Sequence, residues 1–329
     1  MRAILCPQYG SADLLELRDV PTPVPGPTEV LVRVVATTVT TGDWRVRSGV
    51  FPEGFGWIAK LAVGRHGPRQ PILGTELSGV VEAVGARVTR FKVGEAVLGF
   101  TGARMGAHAE FRAFAEDGLL VKKPANLTFA DAASILFGGT TALDVLRRAR
   151  LKAGERVLIN GASGGVGTAA VQLAKQLGAH VTAVCSTANL ELVASLGADR
   201  VIDYREQDFT KDPARYDLVV DIAGTAPYAR SQAVLTPTGR LALVLATLKD
   251  NLGALWVGLT TRHRVIAGPV AVRRPDLQQL ADLAASGAYR PVVEHRFPFE
   301  RIAEAHRVVE TGHKRGSVVV TLAARATER

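Results

Sequence analysis

The chain has 329 residues, 47% hydrophobic and 22% charged, with 33 glycines, 16 prolines, two cysteines and a formal net charge of +9. That length accommodates two domains, and the ordinary balance of apolar to charged residues excludes a disordered chain. Two lone cysteines, Cys6 and Cys185, exclude a disulfide framework and a cysteine-rich metal site, and the lack of an uninterrupted apolar run of about 18 residues excludes a simple membrane span.

The N-terminus, from Met1 to Leu5, runs straight into strand-like sequence without a cleavable signal pattern. Together with the cysteine usage this points to a reducing cytoplasm. The positive charge raises nucleic acid as a partner. The basic residues are dispersed, however, and no basic run is interleaved with aromatics, so a small anionic ligand accounts for it better.

The first 124 residues read as β-rich. Strands are expected at 29–36, after the proline-rich turn 21–27, and at 79–85 and 96–100. Residues 49–71 are rich in Gly and Pro and carry Phe51, Phe55 and Trp57. A loop of that make-up is expected to be a wall of a substrate cleft or a contact with a neighbouring subunit. From residue 126 helices and strands alternate. The pattern predicts a helix over 129–149, a strand over 156–160, a helix over 165–177, a strand over 180–185 and a helix over 188–196. Further strands follow at 217–222 and 239–244. Such alternation argues for βαβ units in a doubly wound parallel sheet, an α/β fold. Two more helices are expected at 275–286 and 298–310. A final strand at 317–321 is expected to return to the first domain.

The sharpest local signal lies between the strand at 156–160 and the helix that follows. Gly161, Ala162, Ser163, Gly164, Gly165, Val166 and Gly167 form a glycine-rich turn. Glycine lets the backbone approach a pyrophosphate without a Cβ clash. The following helix turns its free N–H groups and positive dipole end toward those phosphates. Ala162-x-Gly164-x-x-Gly167 is the dinucleotide fingerprint with alanine in the first glycine place. The next strand ends in Cys185-Ser186-Thr187-Ala188-Asn189, without the acid that would grip a ribose 2′-hydroxyl. Ser186, Thr187 and Asn189 are instead suited to a 2′-phosphate, so NADP is the expected cofactor; Ser186 or Thr187 also suits a helix cap.

With these residues in view, the chain resembles the medium-chain dehydrogenase/reductase superfamily in its zinc-free, quinone oxidoreductase-like, NADPH-dependent branch. The resemblance rests on residues 10–17 (GSADLLEL), Thr41-Gly42-Asp43-Trp44, Gly74-Thr75-Glu76-Leu77-Ser78-Gly79, the glycine turn and Ser195-Leu196-Gly197-Ala198-Asp199. It implies a GroES-like catalytic domain over 1–124, completed by 266–329, a Rossmann domain over 125–265, and a homodimer. Zinc enzymes of the superfamily bind their metal at positions that hold Thr40, Thr75 and about Phe137 in this chain, and the cysteine-rich structural zinc lobe is missing. Asp43 and Glu76 alone make a poor zinc site, so no metal is expected. The resemblance also places Thr141 at the nicotinamide end and Tyr204 at the adenosine phosphate end. Asn189 sits close to a position that is often a phosphate-binding lysine, and Lys314 and Arg315 are candidates for the positive charge thus missing.

Thr40-Thr41 stands where relatives carry Asn-Pro, and Phe51 stands where enoyl thioester reductases carry a tyrosine proton donor, which argues against that chemistry. The implied activity is hydride transfer from NADPH to a quinone, enone or small carbonyl substrate. Thr40 and Thr141 are the candidate polarising groups, and Trp44 and Phe51 shape the pocket. Bridging water or solvent is the expected proton source, with His66 and His108 as weaker candidates. Two alternatives stay open: a zinc-free alcohol or aldehyde dehydrogenase on the same scaffold, and a non-catalytic NADPH-binding sensor that engages RNA.

Overall fold

A computed structural model of the chain describes residues 1–323. Six strands with near-continuous apolar sequence form one all-parallel sheet. In chain order they are Arg156–Asn160, His180–Cys185, Arg200–Asp203, Tyr216–Asp221, Leu235–Leu243 and Arg264–Ile266. Their spatial order is third, second, first, fourth, fifth, sixth. The order reverses between Arg156–Asn160 and Tyr216–Asp221, which leaves a crevice at the carboxyl ends of those two strands. Val157, Leu158 and Ile159 are fully buried, as a strand covered on both faces requires. Helices Leu136–Ala149, Gly165–Gln176 and Arg274–Ala285 cover one face, while Phe209, Tyr216, Val234 and Leu235 help fill the core of the other.

The second sheet is mixed. Val293–Pro298, Ser317–Thr321, Glu29–Val39, Glu76–Val84, Ala96–Phe100 and Leu120–Lys122 lie side by side, and Phe111–Ala115 also pairs with Glu29–Val39. Only Val293–Pro298 and Ser317–Thr321 run parallel; the other neighbours are antiparallel. Residues 266–329 do not all go to this sheet. Helix Arg274–Ala285 places Leu277 and Leu280 in the core beneath the parallel sheet, and the chain joins the mixed sheet only from Val293. The last six residues of that stretch lie outside the described residues.

Several elements differ from the sequence expectation. The helix over 129–149 is two helices, Phe129–Ala133 and Leu136–Ala149. Ser134 Oγ donates to the Asp131 carbonyl at 2.7 Å, a local bond that competes with helix continuation. Taken together this stretch is long and apolar enough to cross a membrane, but 78% of it is buried inside the protein, as befits a core helix. The loop over 49–71 contains the helix Gly56–Val63, with Trp57 and Leu61 exposed. A helix absent from the sequence reading, Leu248–Thr260, begins with a capping box between Thr247 and Asp250. It exposes Leu252, Leu255, Trp256 and Leu259.

Candidate active site

The crevice of the parallel sheet opens into a cleft of about 1170 Å³ that reaches the mixed sheet. At its centre is the glycine turn. Gly161 and Ala162 N–H both donate to the Val184 carbonyl, at 3.1 and 3.0 Å, which pins the turn to the neighbouring strand. Gly161 takes φ +85°, and a Cβ on Gly167 would lie 2.1 Å from the Gly161 carbonyl oxygen. Both positions therefore require glycine. Gly138, on the adjacent helix, is equally constrained, since its Cβ would meet the Gly165 carbonyl oxygen at 2.3 Å. No side chain caps helix Gly165–Gln176 at Gly164, so its first N–H groups remain available to a phosphate. Gly161, Ser163, Gly164, Gly165 and Val166 line the cleft; Ala162, fully buried, and Gly167 stand behind it. The cradle suits a pyrophosphate.

One arm of the cleft runs along the ends of His180–Cys185 and Arg200–Asp203. Asn189 Nδ2 donates to Ser163 Oγ and Ser186 Oγ, both at 3.1 Å, and so ties the turn to this arm. Its Oδ1 is buried without a partner. Thr187 faces away, toward Asp203, whose carboxyl Thr187 and the Arg205 N–H hold below its ordinary range. Tyr204 borders the cleft and is half exposed. Arg205 and Arg230 border it too, and sequence reading missed both. Arg230 pairs with Asp208 at 3.1 Å, whereas the Arg205 guanidinium makes no ion pair among the described residues.

The other arm lies over the mixed sheet. Thr40 caps helix Thr41–Ser48 in a reciprocal capping box: Asp43 N–H donates to Thr40 Oγ1 at 3.2 Å, and Thr40 Oγ1 donates back to Asp43 Oδ2 at 2.6 Å. The Thr40 N–H also donates to Asp43 Oδ2, and the Gly74 N–H to Asp43 Oδ1. Asp43 is thus a fully engaged structural carboxylate, and the Thr40 hydroxyl proton is committed to it. Trp44 lines this arm; Thr141, Phe51, His66 and His108 do not. The Thr141 hydroxyl donates back into its own helix, to the Phe137 carbonyl at 2.8 Å. Phe51 packs edge-on against Tyr9, and His108 is fully buried.

Glu76 and Lys314 form the least expected part of the site. Thr38 Oγ1 and the Phe137 N–H each donate to the Glu76 carboxyl at 2.5 Å. Burial raises that carboxyl to about 8, helped by the charge of Asp43 and opposed by those two bonds and by Lys314. Burial likewise pulls Lys314 down to about 8, against the attraction of Glu76 and Glu294. Lys314 Nζ donates to the Gly316 carbonyl and lies beside Gly165, at the dinucleotide turn rather than at the adenosine end. Arg315 also lines the cleft, but its guanidinium is held by Glu294 at 3.0 Å. No sequence pattern marks Glu76 and Lys314 as neighbours; only the closure of the last strand brings them together.

The positions that align with zinc ligands do converge. Thr40 Oγ1 and Thr75 Oγ1 are 3.4 Å apart, and the Phe137 ring lies against Gly42 beside Thr40. Two hydroxyls and a phenyl ring are not a zinc donor set. Among the described residues no group of three or more His, Cys, Asp or Glu side chains is arranged to hold a metal.

Family models for the alcohol dehydrogenase GroES-like domain and for a zinc-binding dehydrogenase match residues 26–125 and 196–320. A chloroplast envelope quinone oxidoreductase homolog of Arabidopsis thaliana is 32% identical, over 97% of this chain and 98% of the relative. The chain is a medium-chain dehydrogenase/reductase of the quinone oxidoreductase-like kind. Another relative of this dehydrogenase/reductase, the NADPH-dependent alkenal/one oxidoreductase of Arabidopsis thaliana, is 32% identical over 97% of the chain and 79% of the relative. The solved quinone oxidoreductase of Coxiella burnetii superposes with a TM-score of 0.87 at 30% identity, covering 98% of this chain and 99% of that one. This medium-chain dehydrogenase/reductase is an oxidoreductase that uses a nicotinamide cofactor.

Proposed function

We propose that the protein is a zinc-independent, NADPH-dependent reductase of a quinone, enone or small carbonyl substrate. The observation that carries the reading is a single cleft that joins a dinucleotide cradle to a reacting end whose zinc-ligand positions hold Thr40, Thr75 and Phe137. NADPH is favoured over NADH because the strand His180–Cys185 is followed by Ser186 rather than an acid, while Tyr204 and Arg205, which makes no ion pair among the described residues, offer a hydroxyl and a positive charge to a 2′-phosphate.

The bound cofactor supplies a hydride, which reduces an electrophilic carbon of the substrate. The chain orients the two reactants and excludes water. Gly138 and Gly165 let the backbone close on the cradle, and Phe137, Val39 and Trp44 give the reacting end apolar walls. Because Asp43 holds the Thr40 hydroxyl proton, Thr40 does not donate it to the charge that develops on the substrate oxygen. The oxygen then takes its proton from water.

A homodimer agrees with the unpaired outer edge of strand Arg264–Ile266 beside the exposed apolar stripe of helix Leu248–Thr260. Two free, buried cysteines agree with a reducing cytoplasm.

The test is consumption of NADPH by the purified protein with a panel of quinones, enones, aldehydes and ketones, with NADH and a chelator as controls. Turnover that favours NADPH and survives the chelator is the expected result. Measurable NADPH binding without turnover of any acceptor overturns the reading.

A further inference from the structure

Helix Thr41–Ser48 divides its charged residues between two environments. Arg47 is almost fully buried, and its two terminal nitrogens are engaged: Nη1 donates to the Gly10 carbonyl and Nη2 pairs with Glu310 at 3.0 Å. Arg45, on the opposite face with Thr41 and Trp44, lines the cleft at its reacting end. Its Nε is shut off from water and has no hydrogen-bond acceptor. Among the described residues its guanidinium makes no ion pair and lies over the Trp44 ring, with its central carbon 5.6 Å from the ring centroid. Burial lowers its pKa, and no acidic group opposes that shift. The acids that line the same cleft are all engaged elsewhere: Glu76 by Thr38 and the Phe137 N–H, Asp208 by Arg230, Glu294 by Arg315 and Glu310 by Arg47. Trp44 Nε1 is a second buried donor without an acceptor.

A half-buried cation therefore lines the cleft without an ion-pair partner among the described residues. A buried donor left unmatched costs free energy, and a buried cation costs more. A neutral quinone or enone offers a carbonyl oxygen but no countercharge. A carboxylate-like oxyanion offers two acceptor oxygens and the missing charge, in the planar geometry a guanidinium matches best. The phosphates of the cofactor are met elsewhere, at the glycine turn and the Tyr204–Arg205 arm.

We propose that the substrate carries an anionic group, a carboxylate or a chemically similar oxyanion, beside its reducible carbonyl or quinone, and that the terminal nitrogens of Arg45 hold it. This rests on the reductase reading above and narrows its substrate class. The formal net charge of +9 would draw such substrates toward the protein.

The test compares 1,2-naphthoquinone with its 4-sulfonate as acceptors for the wild type, Arg45→Gln and Arg45→Lys. The readout is the ratio of kcat/KM for the sulfonate to that for the neutral quinone, in which intrinsic differences in reactivity cancel between variants. The ratio should fall about 10- to 100-fold in Arg45→Gln, as expected for loss of a charged hydrogen bond, and be partly restored in Arg45→Lys. An unchanged ratio overturns the proposal and leaves the reductase reading standing.

A second measurement does not depend on turnover. Trp57 and Trp256 are exposed and do not line the cleft, so W57F/W256F leaves Trp44 as the sole tryptophan reporter. Titration of NADP-loaded protein with 2-naphthoate should change that emission, and Arg45→Gln should weaken the binding about 10-fold or more. If no acceptor is reduced but naphthoate binding depends on Arg45, the reductase reading fails and the anion site stands. Binding that is absent, or indifferent to Arg45, overturns the site.

Discussion

Replacement of Glu76 by glutamine tests the electrostatics of the reacting end directly. Burial holds the Glu76 carboxyl neutral up to about pH 8, against 4.5 for an ordinary glutamate. Between those values the folded chain binds one proton more than the unfolded chain, so stability falls as pH rises through that window and levels off above it. At about 1.4 kcal/mol per unit the displacement sets a ceiling near 5 kcal/mol. Relaxation and water penetration are expected to reduce this to about 2–3 kcal/mol, or roughly 5 °C in melting temperature for a protein of this size. Lys314 acts with the opposite sign at higher pH. Its ammonium is lowered from 10.5 to about 8, so stability recovers between those values. Glutamine can keep both local bonds, because its amide donates to Thr38 Oγ1 and its carbonyl accepts from the Phe137 N–H. Thermal melts of the wild type and Glu76→Gln from about pH 5 to about pH 8 should therefore diverge, with the wild type losing stability that the variant retains. Parallel profiles would show that Glu76 does not titrate in this range and would refute the reasoning.

Other perturbations reach the remaining parts of the fold and cleft. Gly167→Ala forces a Cβ to within 2.1 Å of the Gly161 oxygen, and the resulting strain in the turn should weaken NADPH binding about tenfold or more, read by fluorescence titration. Arg205→Ala should raise the KM for NADPH about tenfold while leaving that for NADH near its wild-type value, and equal effects on both would remove Arg205 from phosphate recognition. Prolonged dialysis against a chelator should leave turnover intact, since Thr40, Thr75 and Phe137 provide no zinc donor set. Leu280 is fully buried against Gly139, so Leu280→Ala should cost about 2–5 kcal/mol in denaturant unfolding without altering the affinity for cofactor.

The parts of the molecule legible in its sequence are those where local chemistry and tertiary environment agree. Ala96–Phe100 and Ser317–Thr321 are apolar, glycine-punctuated or β-branched segments, and they form strands over the expected residues. The glycine turn was legible because its composition has few other uses between a strand and a helix. Helix Leu248–Thr260 was not, because Gly253 and Gly258 lower its helix propensity and its apolar stripe faces outward. Side-chain direction was equally hidden. Thr141 and Thr187 were expected at the cofactor, but neither lines the cleft: one hydroxyl turns into its own helix and the other toward Asp203. Asp43 read as a leftover carboxylate and proves to be a helix cap. Lys314 and Arg315 are sequence neighbours, yet the first enters the cradle and the second is occupied by Glu294. Arg45 and Arg205 lie in ordinary polar stretches, and only burial without a partner marks the former.

The place of Ser317–Thr321 in the mixed sheet bears on the order in which the protein assembles. This strand lies between Val293–Pro298 and Glu29–Val39, and just before it the Gly316 N–H donates to the Ser163 carbonyl at 2.8 Å. The parallel sheet is complete in sequence once residue 266 has been synthesised. Strand Glu29–Val39, by contrast, must wait nearly three hundred residues for one of its neighbours. During synthesis the amino-terminal half therefore carries an open sheet edge, and the last strand to emerge both closes that edge and locks the dinucleotide turn. Completion of the sheet and pinning of the glycine turn therefore arrive together, and a ribosome-stalled chain that ends before Gly316 would lack both.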